Sequence, residues 1–126
     1  PNSTGVPASI GWEGSTSIIA GNFTLKADDG PPGQAGIFFY GHGQATNPFG
    51  GGIVCIDGAA GLWRITPALV FGAGGGCNHT LDFSTPPGPG GQIQPGSSWN
   101  FQFWYRDSAG GNGFNFTDAL SVNFCP

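Results

Sequence analysis

An all-β fold, an antiparallel sandwich of seven or eight short strands with a small barrel as second choice, follows from three features of the sequence. Apolar and polar residues alternate with period two in several short runs, most clearly in residues 99–106. Turn-forming clusters rich in glycine and proline separate those runs, drawing on 25 glycines and 11 prolines in 126 residues. No window combines a helical period with capping residues. The length is that of one domain with one core. Residues 1–126 are therefore read as a single β-sandwich, with 1–7 as an extended lead-in or linker because Pro1 and Pro7 oppose regular pairing.

Residues 99–106 form the expected central strand. Trp99, Phe101, Phe103 and Tyr105 share one face, and each ring removes on the order of 150–250 Å² from water, enough to anchor a core. Asn100, Gln102, Trp104 and Arg106 share the other, amphipathic face. Ahead of it, Ala8 to Trp12 reads as a short strand. Residues 22–27 point Phe23, Leu25 and Ala27 inward and Asn22, Thr24 and Lys26 outward until Asp28-Asp-Gly-Pro-Pro-Gly33 stops the run. Residues 36–41 are apolar on both faces, as expected of a strand held between two layers or beside a partner surface. A long glycine-rich loop is expected over 41–52. Short strands follow at 53–56 and 62–65, joined as a hairpin by Asp57-Gly-Ala-Ala-Gly61, and Pro67 is expected to end the second. A run at 77–83 sets Cys77, His79, Leu81 and Phe83 on one side before Thr85-Pro-Pro-Gly-Pro-Gly-Gly91. Leu120, Val122 and Phe124 supply the last inward face.

Charge and composition narrow the function. Three Lys+Arg against seven Asp+Glu give a net charge of −4 without a basic cluster, which excludes a phosphate-backbone binder and argues against nucleic acid as a partner. Charged residues make up only 8% of a chain that is 38% hydrophobic, a balance unlike that of disordered segments. No apolar run approaches the ~18–20 residues of a spanning helix, so membrane insertion is not expected. The start at Pro1 reads as a processed or excised chain. Absent Met, scarce Lys and three Cys favour an extracellular or cell-surface setting in which one disulfide forms.

The segments Asn2-Ser-Thr-Gly5, Phe38-Phe-Tyr-Gly41, Gly52-Ile-Val-Cys55 and Gly96-Ser-Ser-Trp-Asn-Phe-Gln-Phe-Trp-Tyr-Arg-Asp107, followed by Asn115-Phe-Thr-Asp118, carry a resemblance. Over nearly its whole length the chain resembles an uncharacterised β-rich module found at the C-terminal ends of secreted and surface bacterial proteins. The resemblance implies a disulfide between Cys55 and Cys125, with Cys77 departing from the pattern. On the residues alone, a Cys55–Cys77 pair stays open.

His42, His79 and Cys77 are of types that bind copper or zinc, but their spacing fits no standard motif. Asp107 and Asp118 flank a loop of Gly and Asn, yet the alternating carboxylates of a calcium loop are missing. No nucleophile elbow occurs, and Glu13, Asp57 and Asp82 are scattered, so no enzyme and no cofactor is expected. Four Asn-x-Ser/Thr triplets, at Asn2, Asn22, Asn78 and Asn115, mark glycosylation acceptors, although an outward Asn and Thr around an inward aromatic produce the same triplet. Two functional readings follow. The first is a non-catalytic structural, assembly or surface-attachment module, pairing with copies of itself or other surface proteins through strand edges. The alternative is a carbohydrate-binding module in which exposed Trp104, or Trp12 or Trp63, stacks on a polysaccharide while Asn100, Gln102 and Arg106 supply hydrogen bonds.

Overall fold

The computed structural model describes residues 2–49, 52–58, 61–88, 90–111 and 113–126. Among these the chain is all-β and antiparallel, with ten strands: β1 (Ser9–Glu13), β2 (Thr24–Asp28), β3 (Ala35–Gly41), β4 (Gly43–Phe49), β5 (Gly52–Asp57), β6 (Trp63–Val70), β7 (Cys77–Thr80), β8 (Ser98–Asp107), β9 (Gly113–Phe116) and β10 (Leu120–Asn123). A three-stranded sheet runs β1-β2-β7. A five-stranded sheet runs β10-β8-β3-β6, with β9 added to β8 beyond β10, and β4 and β5 make a separate ribbon. The sandwich expected from the alternation is present.

The core lies between the two larger sheets, where period two delivers its side chains. From β8, Trp99, Phe101, Phe103 and Tyr105 are buried; from β2 and the residue before it, so are Phe23, Leu25 and Ala27. The rings meet mostly edge to face, the arrangement favoured by their quadrupoles. Phe23 lies 6.0 Å from Phe101 and 5.0 Å from Phe124, and Phe71 lies 5.4 Å from both Phe103 and Tyr105. Gly36 on β3 sits so close to β8 that a Cβ there would fall 2.4 Å from the Phe103 ring, so this strand position needs a residue without one. Tyr40 extends the core on β3 and donates its phenol to the Gly91 carbonyl at 2.5 Å; burial pushes that phenol up to about 12.

Several expected boundaries move. Within the glycine-rich stretch 41–52, residues 43–49 and Gly52 are strand, because β4 pairs with β5 from Gly43↔Asp57 to Phe49↔Gly52; Gly50 and Gly51 lie outside the described residues. The hairpin expected between 53–56 and 62–65 therefore does not form; its connection also includes Ala59 and Ala60, outside the described residues. Pro67 does not end β6. In the β3–β6 ladder Phe38 faces Ile65 and Gly36 faces Leu69, so a bulge on β6 takes up the proline, which edge strands and bulges tolerate. The strand at 77–83 stops at Thr80, since Asp82 turns the chain by accepting hydrogen bonds from Ser84 N and Oγ. A strand unforeseen in the sequence, β9, pairs Phe116 with Trp104 and Phe114 with Arg106.

Exposed edges are blunted. The β6 edge carries Pro67 and the bulge, and β4 carries Pro48 and a register shift between Gln44 and Asn47. Strands β9 and β10 are interrupted by residues 117–119, and on β1 the Ile10 amide donates to Asp118 Oδ1 at 2.9 Å. Proline, bulges and short edge strands are the features that keep sheets from pairing with strangers.

Because Phe103 is fully buried against the rings of Phe38 and Phe71, Phe103→Ala is expected to cost about 3–5 kcal/mol in denaturant unfolding, the range for truncating a buried aromatic. A loss below about 1 kcal/mol contradicts this account of the core.

Candidate functional site

The outer face of β8 divides into a closed half and an open half. In the closed half Asn100 and Gln102 are buried beneath the β4–β5 ribbon. Gln102 uses its whole amide: Nε2 donates to Ile53 O at 2.8 Å and Thr117 O at 2.7 Å, and Oε1 accepts from Cys55 N at 2.9 Å. Asn100 donates from Nδ2 to His42 O at 3.0 Å and accepts from Gln44 Nε2 at 3.1 Å. The two amides thus stand where a neighbouring strand would otherwise supply backbone partners. This corrects the expectation that Asn100, Gln102, Trp104 and Arg106 form one exposed patch, because a buried amide without a partner costs too much and the ribbon satisfies both.

In the open half, Trp104 is half-buried and Arg106 exposed, with the guanidinium carbon 5.5 Å from the indole centroid. An open groove of about 400 Å³ runs beside Trp104, lined by Ile37, Phe39, Phe49, Val54 and Phe116 with Arg64 at its side. Ring contacts build its wall: Trp104 lies 6.0 Å from Phe114, Phe49 5.3 Å from Phe114, and Phe39 6.2 Å from Phe116. Phe49, 59% exposed, stands at the rim, so the apolar surface continues to solvent. The sequence marked Trp104 and Arg106. It did not mark Phe49, Phe114 or Phe116, although the spacing of Phe114 and Phe116 at i and i+2 is a strand-face signal.

The other two tryptophans take structural roles. Trp12 stacks on Phe23 at 5.4 Å while keeping one side exposed. Trp63 packs against Trp99 at 5.6 Å and Tyr40 at 6.0 Å, and a Cβ on Gly91 would fall 2.7 Å from its ring.

The polar candidates are held apart. His42 is exposed with its ring 3.8 Å over Trp99, whereas Cys77 and His79 sit on β7 in the other sheet. Among the described residues no cluster of three His, Cys, Asp or Glu side chains forms a metal-binding set. Asp107 is buried and accepts from Ser3 N at 2.7 Å, and Asp118 receives Ile10 N, so both carboxylates hold the N-terminal segment rather than share a site. Glu13 pairs with Lys26 at 2.8 Å. Asp57 faces Gly43 in the ribbon register, and Asp82 caps its own turn.

The disulfide is a further correction. Cys55, Cys77 and Cys125 are unpaired: Cys55 lies on the ribbon outside the five-stranded sheet, Cys77 on the three-stranded sheet, and Cys125 is exposed beside Thr16. All three thiols are free, so the Cys55–Cys125 pairing implied by resemblance is not made. Burial and the nearby Asp28 push the Cys77 thiol up to about 11.

The four sequons also separate. Asn2 is buried and its Nδ2, the atom a glycan would occupy, donates to Asp29 O at 2.9 Å and Tyr105 OH at 3.3 Å. Asn115 is buried and accepts from Phe116 N at 2.8 Å. Asn22 and Asn78 are exposed. Two of the four triplets are thus structural asparagines.

No protein-family model, curated protein or solved structure matches this chain. Functional inference therefore rests on the surface just described.

Two outcomes are expected. Gln102→Ala leaves the Cys55 amide and the Ile53 and Thr117 carbonyls without their partner, so it should lower stability by about 3 kcal/mol and speed exchange of the Cys55 amide above all others in β5, read by hydrogen exchange. Equal exchange along β5 rules that role out. His79, half-buried on β7, is held below its ordinary imidazole value of 6.5 by desolvation. Its neutral form is the one the fold accepts, so its contribution is complete above pH 6.5 and falls away as pH drops through the lowered value. His79→Asn should flatten that part of the stability–pH curve.

Proposed function

We propose that this chain is a non-catalytic structural module of an extracellular or cell-surface assembly, attaching to another protein surface, a copy of itself included, through the outer face of its five-stranded sheet. One observation carries the reading. The ribbon closes this face over Asn100 and Gln102 and then leans onto β9, where Phe49 packs against Phe114 and Phe116, leaving between it and Trp104 an apolar groove with Phe49 at its rim. An open patch of this kind beside polar surroundings is the mark of an interaction site. The blunted edges favour the face over strand-to-strand pairing as the route of attachment. The N-terminal lead-in is likewise occupied at home, since Asn2 and Ser3 bond to the end of β8.

The carbohydrate-binding alternative keeps Trp104 and Arg106 but loses both amides to the ribbon. A sugar's hydroxyls need convergent polar partners, and the lining beside Trp104 is apolar except for Arg64. Protein attachment is the better fit.

Light scattering of the purified chain, compared with Trp104→Thr, tests the self-associating form. Oligomers that the substitution dissolves, with circular dichroism unchanged, support the reading; oligomers that survive it overturn the assignment to this face. A monomer at every concentration removes self-association and leaves attachment to a different protein.

A further inference from the structure

The whole molecule contains three Lys+Arg residues. Lys26 is neutralised by Glu13 at 2.8 Å on the three-stranded sheet. The other two, Arg64 and Arg106, are both exposed, and both project from the outer face of the five-stranded sheet. Arg64 lies opposite Phe39 on β6 and lines the groove, and Arg106 lies opposite Phe114 on the β8–β9 side, its guanidinium over Trp104. Among the described residues neither arginine has an ion-pair partner, and no carboxylate lines the groove. A chain of net charge −4 has therefore gathered its two unpaired cations on either side of one apolar surface groove.

From this arrangement the geometry points to an occupant of definite chemistry: an extended polypeptide segment from a partner protein, with large apolar side chains in its middle and carboxylates toward both ends. This rests on the attachment reading above and names what that face receives. Its apolar side chains would lie along Ile37, Phe39, Val54 and Phe116 and against the indole of Trp104, while its carboxylates meet Arg64 on one side and Arg106 on the other. Arginine suits the task because its planar fork takes a carboxylate with two parallel hydrogen bonds while its stem lies on an aromatic ring. The segment docks by side chains rather than by adding a strand, because β8 and β3 are hydrogen-bonded on both edges in this region. The dearth of hydrogen-bonding groups on the groove floor disfavours a polysaccharide, and the lack of acidic residues disfavours a cationic segment.

Isothermal titration of the full chain tests this with three probes: a blocked peptide of alternating phenylalanine and valine ending in aspartate at both ends, its lysine-ended counterpart, and polygalacturonate. The aspartate-ended peptide should bind, with the lysine-ended one at least about tenfold weaker, the combined worth of two exposed ion pairs. Raised salt should narrow the gap. The double substitution Arg64→Gln with Arg106→Gln should erase the preference while leaving apolar binding and the melting curve in place, and Trp104→Thr should abolish binding. Equal affinity for the two peptides, a preference that survives loss of both arginines, or saturable binding of polygalacturonate that the peptide does not displace overturns the proposal. If neither peptide binds but the chain forms oligomers that Trp104→Thr dissolves, the proposal fails and the attachment reading stands, with a second copy in the groove. Peptide binding untouched by Trp104→Thr overturns both.

Discussion

The architecture depends on how one buried amide is satisfied. Gln102 is fully buried in the middle of β8, pointing away from the aromatic core, and a primary amide in that position without partners would be destabilising by several kcal/mol. Its hydrogen-bonding groups instead clasp β5 on both sides of Val54, at Ile53 O and Cys55 N, and close the gap at Thr117 where β9 hands over to β10. The ribbon is where it is because this amide and that of Asn100 need it. The groove exists because the ribbon then leans onto β9 through Phe49 and leaves one side of Trp104 open. A polar requirement at one residue therefore fixes the position of an apolar surface two residues further along the same strand.

What could be read from the sequence followed from period-two patterning. The inward set Trp99, Phe101, Phe103 and Tyr105, and its counterpart Phe23, Leu25 and Ala27, were legible because a strand buried on one face cannot slip by a residue without exposing its rings. What could not be read depended on tertiary partners. Residues 43–49 contain Gly43 and Pro48, which argue for a loop by local propensity, and only the side chains of Asn100 and Gln102 together with β5 make them a strand. The continuation of β6 past Pro67 is hidden because a bulge opposite Gly36 and Phe38 leaves no trace in β6 itself. On the outer face Trp104 and Arg106 do reach solvent, but the polar half looks the same in the sequence as a ligand-binding strip. Burial by another part of the same chain is invisible to alternation.

Trp104 and Trp99 make the same point from opposite faces of one strand. Both are tryptophans on β8, five residues apart and so of opposite parity, and the parity decides everything. Trp99 is buried among Tyr40, Trp63 and the His42 ring and serves the fold. Trp104 has Ile37 and Phe116 beside it and an arginine above it, yet keeps one side open.

The N-terminal segment and the C-terminal strand are fastened to opposite ends of β8. Ser3 bonds to Asp107 at one end, while Asn123 pairs with Ser98 at the other and Cys125 is clipped to Thr16 and Ile18. Ten residues of extended chain, about 33 Å, separate the two attachments. Tension drawn between them would run along the β8 axis and load the β8–β10 ladder in shear, so that its hydrogen bonds resist together instead of opening one at a time from an end. The central strand is in that sense a strut.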